Sequence, residues 1–261
     1  MKRADWYKHV WTLDIKNQSW TEDTENQVDF IVKTLGLTGK ERILDLACGY
    51  GRHALALARR GFSVTGVDIT EAYVDDANKN AKEQSLDAVF IHADIREVAF
   101  REEFDVVLNL ADGAIGYLED DVENMKIFDV VASALRPGGK HFMDVNNAEH
   151  AERYFPKTNW EIGDKALALA QFDWDAQTRR MTYAGYDIPY GEIAQKPQIN
   201  IDDADPIRLY SLSELKAILG QRDMRIVSTF STYYGKPATD REIQLMVYSI
   251  KEPKSMQGGH V

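Results

Sequence analysis

The stretch Ile43-Leu44-Asp45-Leu46-Ala47-Cys48-Gly49-Tyr50-Gly51-Arg52-His53-Ala54 constrains the fold of this chain more than any other. An apolar run with the composition of a buried strand ends in a tight turn punctuated by glycines. From Arg52 the residues are helix formers as far as Arg60, and Gly61 ends the helix. A second apolar strand, Ser63-Val64-Thr65-Gly66-Val67, follows at once and ends on Asp68. This order predicts a βαβ unit with a glycine turn after its first strand and an acid at the tip of its second. Such a unit suits an adenosine-containing ligand. Glycines without Cβ let the backbone approach closely, and the acid accepts hydrogen bonds from ribose hydroxyls.

The alternation continues beyond the unit. Thr70 caps a helix to about Gln84, Ala88–Ile91 reads as a strand running into His92-Ala93-Asp94, and Phe104–Leu110 reads as the next strand. A helix over 121–135, a Pro137-Gly138-Gly139 turn and a strand over His141–Val145 follow. The pattern then changes to two β-like runs, 166–174 and 181–188, joined by a polar turn at 175–179, with 207–210 as a third strand. A helix capped by Ser213 and two strands, 225–230 and 243–250, close the fold as an antiparallel pair. The expected class is α/β: a doubly wound, mostly parallel seven-stranded sheet with an antiparallel β insertion after the fifth strand.

Residues 1–40 are expected to form a helical arm or lid that carries Trp6, Tyr7, Trp11 and Trp20. Its helix starts near Thr21 or Asp23 and ends at Gly36. Residues 41–147 and 211–251 form the ligand-binding domain, 148–210 the insertion, as a substrate roof or a homodimer interface, and 252–261 a disordered tail.

Composition narrows the function. A formal charge of −11 over 261 residues argues against a general nucleic-acid binder, which needs basic stripes to displace counterions. Cys48 is the only cysteine, so no intrachain disulfide forms and a thiolate metal centre is not expected. No apolar run has signal-peptide or membrane-span character, which makes a cytoplasmic protein without membrane contact the expectation.

The glycines decide little between cofactors, since Gly49-x-Gly51-x-x-Ala54 with Asp68 also fits a dinucleotide fingerprint. Asp45 decides more. A carboxylate beside the turn repels a pyrophosphate and attracts an ammonium group. The antiparallel ending of the sheet, after an extra insertion, also suits a different cofactor family. Asp45-Leu46-Ala47-Cys48-Gly49-Tyr50-Gly51, Val67-Asp68, Asp94-Ile95 and Asn109-Leu110 together resemble the successive motifs of class I S-adenosylmethionine-dependent methyltransferases of small-molecule type. The likeness is strong over about residues 40–145 and weaker over the closing helix and strands. Ala47 stands where the family usually has its first glycine.

The resemblance implies S-adenosyl-L-methionine as cofactor and S-adenosyl-L-homocysteine as product. Asp45 would face the ammonium group, with Ala47, Gly49 and Gly51 alongside and Arg52 available to the cofactor carboxylate. Asp68 would take the ribose hydroxyls and Ile69 the adenine face. Asp94 would accept from the adenine amino group with Ile95 donating through its backbone, and Asn109 and Leu110 would flank the methionine portion. Nucleobase amino methylases usually carry an Asn/Asp-Pro-Pro-aromatic motif where this chain has Asn109-Leu110-Ala111-Asp112, so a small-molecule O or N acceptor is implied. Candidate bases are His150, Asp112 and His9. Candidate acceptor contacts are Trp6, Tyr7, Trp11, Tyr117, Asn146, Asn147, Arg208 and Tyr210. Two alternatives stay open: a nicotinamide-dependent oxidoreductase on the same βαβ unit, and a non-catalytic assembly module that keeps the cofactor fold.

Overall fold

The structure is a computed structural model and describes residues 5–18, 21–163, 166–193, 201 and 204–253. Trp20 and the tail from residue 254 lie outside the described residues. The central sheet has seven strands: β1 (Arg42–Leu46), β2 (Ser63–Asp68), β3 (Ala88–His92), β4 (Phe104–Asn109), β5 (Leu135–Asn146), β10 (Met224–Phe230) and β11 (Gln244–Lys251). Their order is β10-β11-β5-β4-β1-β2-β3. Strands β1 to β5 pair in parallel, whereas β11 runs antiparallel to both β5 and β10. Strand order reverses between β1 and β4, which opens a crevice at the carboxyl ends of those strands, where ligands of open sheets bind.

The apolar runs of the central strands β1, β4, β5 and β11 are buried on both faces. On one side lie α1 (Thr24–Leu35), α2 (Arg52–Arg59) and α3 (Glu71–Glu83), through residues such as Ile31, Ala54, Leu57 and Ala77. On the other lie α4 (Asp121–Ala134) and α6 (Leu212–Gly220), through Ile127, Phe128, Leu215 and Leu219. Fully burying one Ile, Leu or Phe side chain contributes about 1.5–3 kcal/mol, so both helical layers are held by apolar burial. Gly36 ends α1 in the left-handed conformation, and Thr70 precedes α3 as its N-cap.

Three local features differ from the sequence reading. Pro137-Gly138-Gly139 lies within β5 as a bulge: Phe104 pairs with Leu135 but Val106 with Lys140. Ser211, not Ser213, caps α6, and a reciprocal bond with Glu214 completes a capping box. The insertion also contains two further elements, α5 (Ala148–Tyr154), capped by Asn147, and β6 (Lys157–Ile162). Helix α5 is too short to show helical periodicity, and every residue of β6 is exposed, so neither leaves an apolar pattern.

Strand β6 joins β7 (Ala166–Asp175), β8 (Arg180–Pro189) and β9 (Pro206–Arg208) in a separate antiparallel sheet. This sheet is moored where Arg208 N–H donates to Gly116 carbonyl at 2.8 Å. Gly116 is left-handed there and leaves no room for a Cβ against Arg208. The arm before α1 makes two 3₁₀ turns, Trp6–Lys8 and Leu13–Asn17, in place of a longer helix.

Candidate active site

The turn after β1 shapes the floor of the crevice. Ala47, Gly49 and Gly51 all adopt positive φ, at 55°, 57° and 77°. At Gly51 a Cβ would meet the Phe90 ring at 2.6 Å, so glycine is what lets α2 start this close to β3. Asp68, at the tip of β2, ties the turn down: its Oδ2 accepts from Gly49 N–H at 2.8 Å and its Oδ1 from Thr70 N–H at 2.8 Å. Each oxygen retains a second lone pair for a ligand hydroxyl.

Asp45 is buried, and its Oδ2 has no hydrogen-bond partner. Burial pushes its carboxyl up to about 7; the Arg52 guanidinium opposes the shift and Asp68 adds to it. A buried acceptor without a donor carries a desolvation cost that an arriving cation removes. Arg52 also lines the cleft. Thr24 and Gln27 of α1 accept from its Nη1 at 2.9 and 2.7 Å and so aim the guanidinium.

The cleft is open to solvent, with about 930 Å³ of empty space between its walls, solvent-facing space included. Ile69, Asp94 and Ile95 line one end, beside Asp68. The loop after β4 supplies Leu110, Ala111, Ala114, Tyr117 and Leu118. Four successive residues of that loop, Ala111, Asp112, Gly113 and Ala114, have positive φ (50°, 68°, 52° and 61°), which is strained for the three that are not glycine. Asn109 holds this conformation: its Nδ2 donates to Gly113 carbonyl at 3.1 Å while its Oδ1 accepts from His141 Nε2 at 3.2 Å. Asn109 is therefore fully buried and shapes the loop without reaching the cleft itself.

Beside that loop Tyr117 OH donates to Asp112 Oδ2 at 3.0 Å and Asn146 Nδ2 donates to Asp112 Oδ1 at 3.2 Å. Burial, with Asp144 nearby, pushes the Asp112 carboxyl up to about 7. Asp144 accepts from Tyr233 OH at 2.7 Å and from the Gln244 amide, and burial raises it to about 6.

The arm covers the crevice. Tyr7, Trp11 and Ile15 line it, and the Trp11 and Tyr117 rings stack with centroids 6.1 Å apart. Trp6 packs behind them, 5.2 Å from Tyr117.

Several residues singled out from sequence stand apart from the cleft. His9 is on the surface, 3.3 Å from Asp5. His150 is buried in α5 against the rings of Tyr154 and Phe155, and burial lowers its pKa. Asn147 caps α5 and donates to Thr239 carbonyl. Arg208 is buried in an ion pair with Glu214 at 2.6 Å, and Tyr210 packs in the core against Phe128. In the other direction, Tyr50, Tyr73 and Ile15 line the cleft, and Asp144 stands beside Asp112, although the sequence reading assigned none of them a role. The rule that marked Asp45 and Asp68, an acid at the carboxyl end of a sheet strand, also marks Asp144. Among the described residues no group of His, Cys, Asp or Glu could hold a metal ion. None of the described helices is long and apolar enough to cross a membrane.

A seven-stranded sheet of this order, with a glycine turn after β1 and acids at the ends of β1 and β2, defines the Rossmann-like methyltransferase fold. Residues 43–139 match the family model described as a methyltransferase domain. It is 32% identical over 133 residues to the putative methyltransferase YqeM of Bacillus subtilis, covering 51% of this chain. The chain spans about half the length of that relative (53%). Among solved structures it resembles the CcbJ methyltransferase of Streptomyces caelestis, with a TM-score of 0.71, 17% identity and 96% of each chain covered. It also resembles the 1,6-didemethyltoxoflavin-N1-methyltransferase of Burkholderia thailandensis, solved with 1,6-didemethyltoxoflavin and S-adenosylhomocysteine bound. There the TM-score is 0.59 at 15% identity, over 97% of this chain and 92% of that one.

Proposed function

We propose that the chain transfers a methyl group from S-adenosylmethionine to an O or N atom of a small-molecule acceptor by in-line displacement. The observation that carries this reading is the partnerless, buried Oδ2 of Asp45 on the wall of the cleft. An ammonium group satisfies that oxygen, whereas a dinucleotide pyrophosphate is repelled by it. On this reading Asp45 holds the amino group of the cofactor and Arg52 its carboxylate. Asp68 takes the ribose hydroxyls, Asp94 and the Ile95 backbone the adenine amino edge, and Ile69 the adenine face. Leu110, with Ala111 and Ala114, flanks the methionine portion. When bound, the cofactor supplies an electrophilic methyl carbon on a sulfonium.

The chain's own part is alignment and exclusion of water. Trp11, Tyr117, Tyr7 and Ile15 close the cleft, and the faces of the aromatic rings attract positive charge. On this reading Asp112, which does not itself line the cleft but bonds Tyr117, which does, takes the acceptor's proton; its carboxyl near 7 and its bonds from Tyr117 and Asn146 support that role. The 1,6-didemethyltoxoflavin bound in the Burkholderia neighbour supports a small-molecule acceptor. The insertion serves to roof the acceptor pocket or to join two copies. The exposed Trp160 and Ile162 on edge strand β6 support the second use.

The test is a mass shift of one methyl group across a library of small metabolites incubated with the protein and S-adenosylmethionine. Calorimetry with S-adenosylhomocysteine and NADH runs beside it. Binding of NADH alone would return the site to an oxidoreductase.

A further inference from the structure

We propose that Arg96 couples cofactor binding to closure of the amino-terminal arm, as a positioning residue that acts through Asp94 on one side and Tyr7 on the other. The inference rests on the cofactor reading above.

Arg96 follows the Asp94-Ile95 pair, and its side chain is 13% exposed. Its Nε donates to Asp94 Oδ1 at 2.9 Å and its Nη2 to Asp94 Oδ2 at 2.5 Å, a two-pronged grip that fixes the plane of the carboxylate. The Arg96 backbone N–H adds a third bond to Asp94 Oδ1 at 3.0 Å. These bonds hold Asp94 below the ordinary carboxylate range and leave its remaining lone pairs for the cleft that Asp94 lines.

The same guanidinium reaches the arm. Nη2 donates to Tyr7 OH at 3.1 Å, and Tyr7 OH in turn donates to Glu119 Oε1 at 2.8 Å. Nη1 donates to Glu119 Oε2 at 3.0 Å and to Glu123 Oε2 at 2.6 Å. One cation thus serves three carboxylates and a hydroxyl. Without it Asp94 loses its orientation, and Glu119 loses the cation it shares with Asp94 and becomes a poorer anchor for Tyr7, while Glu123 keeps Lys126. Another mooring of the arm, Lys16 to Asp76, is more exposed and correspondingly weaker. Tyr7 is buried and its ring forms part of the cleft wall. The residue that sets the adenine-side acid is therefore also the one that holds down the lid.

The experiment measures S-adenosylhomocysteine affinity by calorimetry, and trypsin cleavage after Lys8 and Lys16 with and without that ligand, for wild type, Arg96→Gln and Tyr7→Phe. In wild type the ligand slows cleavage at both lysines. Arg96→Gln weakens affinity about tenfold, as expected for lost charge-assisted bonds, and leaves the arm open to trypsin at saturating ligand. Tyr7→Phe keeps affinity within a few-fold, because Asp94 is still gripped, yet loses much of the protection. Arg96→Gln with wild-type affinity and wild-type protection overturns the proposal. So does cleavage after Arg59 and Lys126 rising in step with Lys8 and Lys16, because that marks a general loosening. A wild-type protein that does not bind S-adenosylhomocysteine refutes the cofactor reading, and the coupling with it.

Discussion

Asp45→Asn should stabilise the free protein while disabling it. Asp45 is buried at 2% exposure, and its carboxyl is raised from 3.8 to about 7. A carboxylate raised in the folded state binds its proton more tightly there than in the unfolded chain. Its cost is therefore absent below pH 3.8, grows as pH rises toward 7, and is complete above that. At about 1.4 kcal/mol for each pH unit between those two values, the ionised side chain costs the folded protein roughly 4 kcal/mol at pH 8. An amide at this position removes that charge but leaves a buried donor unpaired, which returns about 1–3 kcal/mol. The net expectation is a gain of about 2 kcal/mol, which for a chain of this size raises Tm by roughly 4–8 °C.

Ligand binding should move the other way. The ammonium group of the cofactor loses a charge-assisted partner worth about 1.5–3 kcal/mol, so S-adenosylhomocysteine affinity falls about ten- to hundredfold. Calorimetric melts at pH 8 and pH 4, each with and without S-adenosylhomocysteine, separate the two effects. The free variant melts above wild type at pH 8 and loses that advantage at pH 4, and its ligand-induced rise shrinks. A variant that melts below wild type at pH 8, or that keeps wild-type affinity, refutes the reasoning.

Three further expectations follow from the same edge of the sheet. Asp68→Ala weakens S-adenosylmethionine binding more than about tenfold, because the lost acceptor also frees Gly49 and Thr70 N–H groups, with circular dichroism unchanged. At saturating S-adenosylmethionine, where Asp45 is already engaged, kcat/KM for the acceptor rises with pH through the Asp112 value near 7, and Asp112→Asn removes that rise; a retained limb in the variant excludes Asp112 as the proton acceptor. His141 is buried and held neutral, its pKa lowered from 6.5 to about 3, so the unfolded chain takes up a proton first as pH falls. Its contribution is complete above pH 6.5 and falls by about 1.4 kcal/mol per pH unit below it. Urea unfolding at pH 6.5 and 5 should therefore show the wild type losing about 2 kcal/mol relative to His141→Gln.

Residues whose role follows from backbone topology were legible in the sequence. Asp45 and Asp68 end strands of a parallel sheet, and that position alone brings them to the crevice. The glycine turn was legible for the same reason, since only small residues pass the Phe90 ring and adopt the left-handed conformation. Side-chain direction was not legible. Asn109 stands at a strand end as Asp68 does, yet it turns inward to His141, a partner 32 positions away. His150 follows β5 closely enough to look catalytic, but the α5 turn, capped by Asn147, carries it among aromatic rings. Arg208 looked like a pocket cation because Glu214, its partner, is identifiable only once the capping box of α6 is known. Tyr233 and Gln244 reach Asp144 across 89 and 100 positions, a separation that no local pattern encodes.

The inward turn of Asn109 explains why the loop after β4 can be both strained and fixed. Three non-glycine residues at positive φ each cost about 1–3 kcal/mol, more than an isolated loop would tolerate. The chain His141–Asn109–Gly113 offsets that cost, because every link is buried and each bond, once broken, leaves a donor or acceptor without water. The Asp112 N–H is also taken, by the Asp144 carbonyl at 2.8 Å, so the loop is tied to β5 as well as β4. What this rigidity secures is the direction of Asp112 and the Tyr117 ring, the two groups on which the acceptor end of the proposed reaction depends. Asn109 thus matters to that reaction without facing the ligand, and its role is to keep a high-energy loop from relaxing.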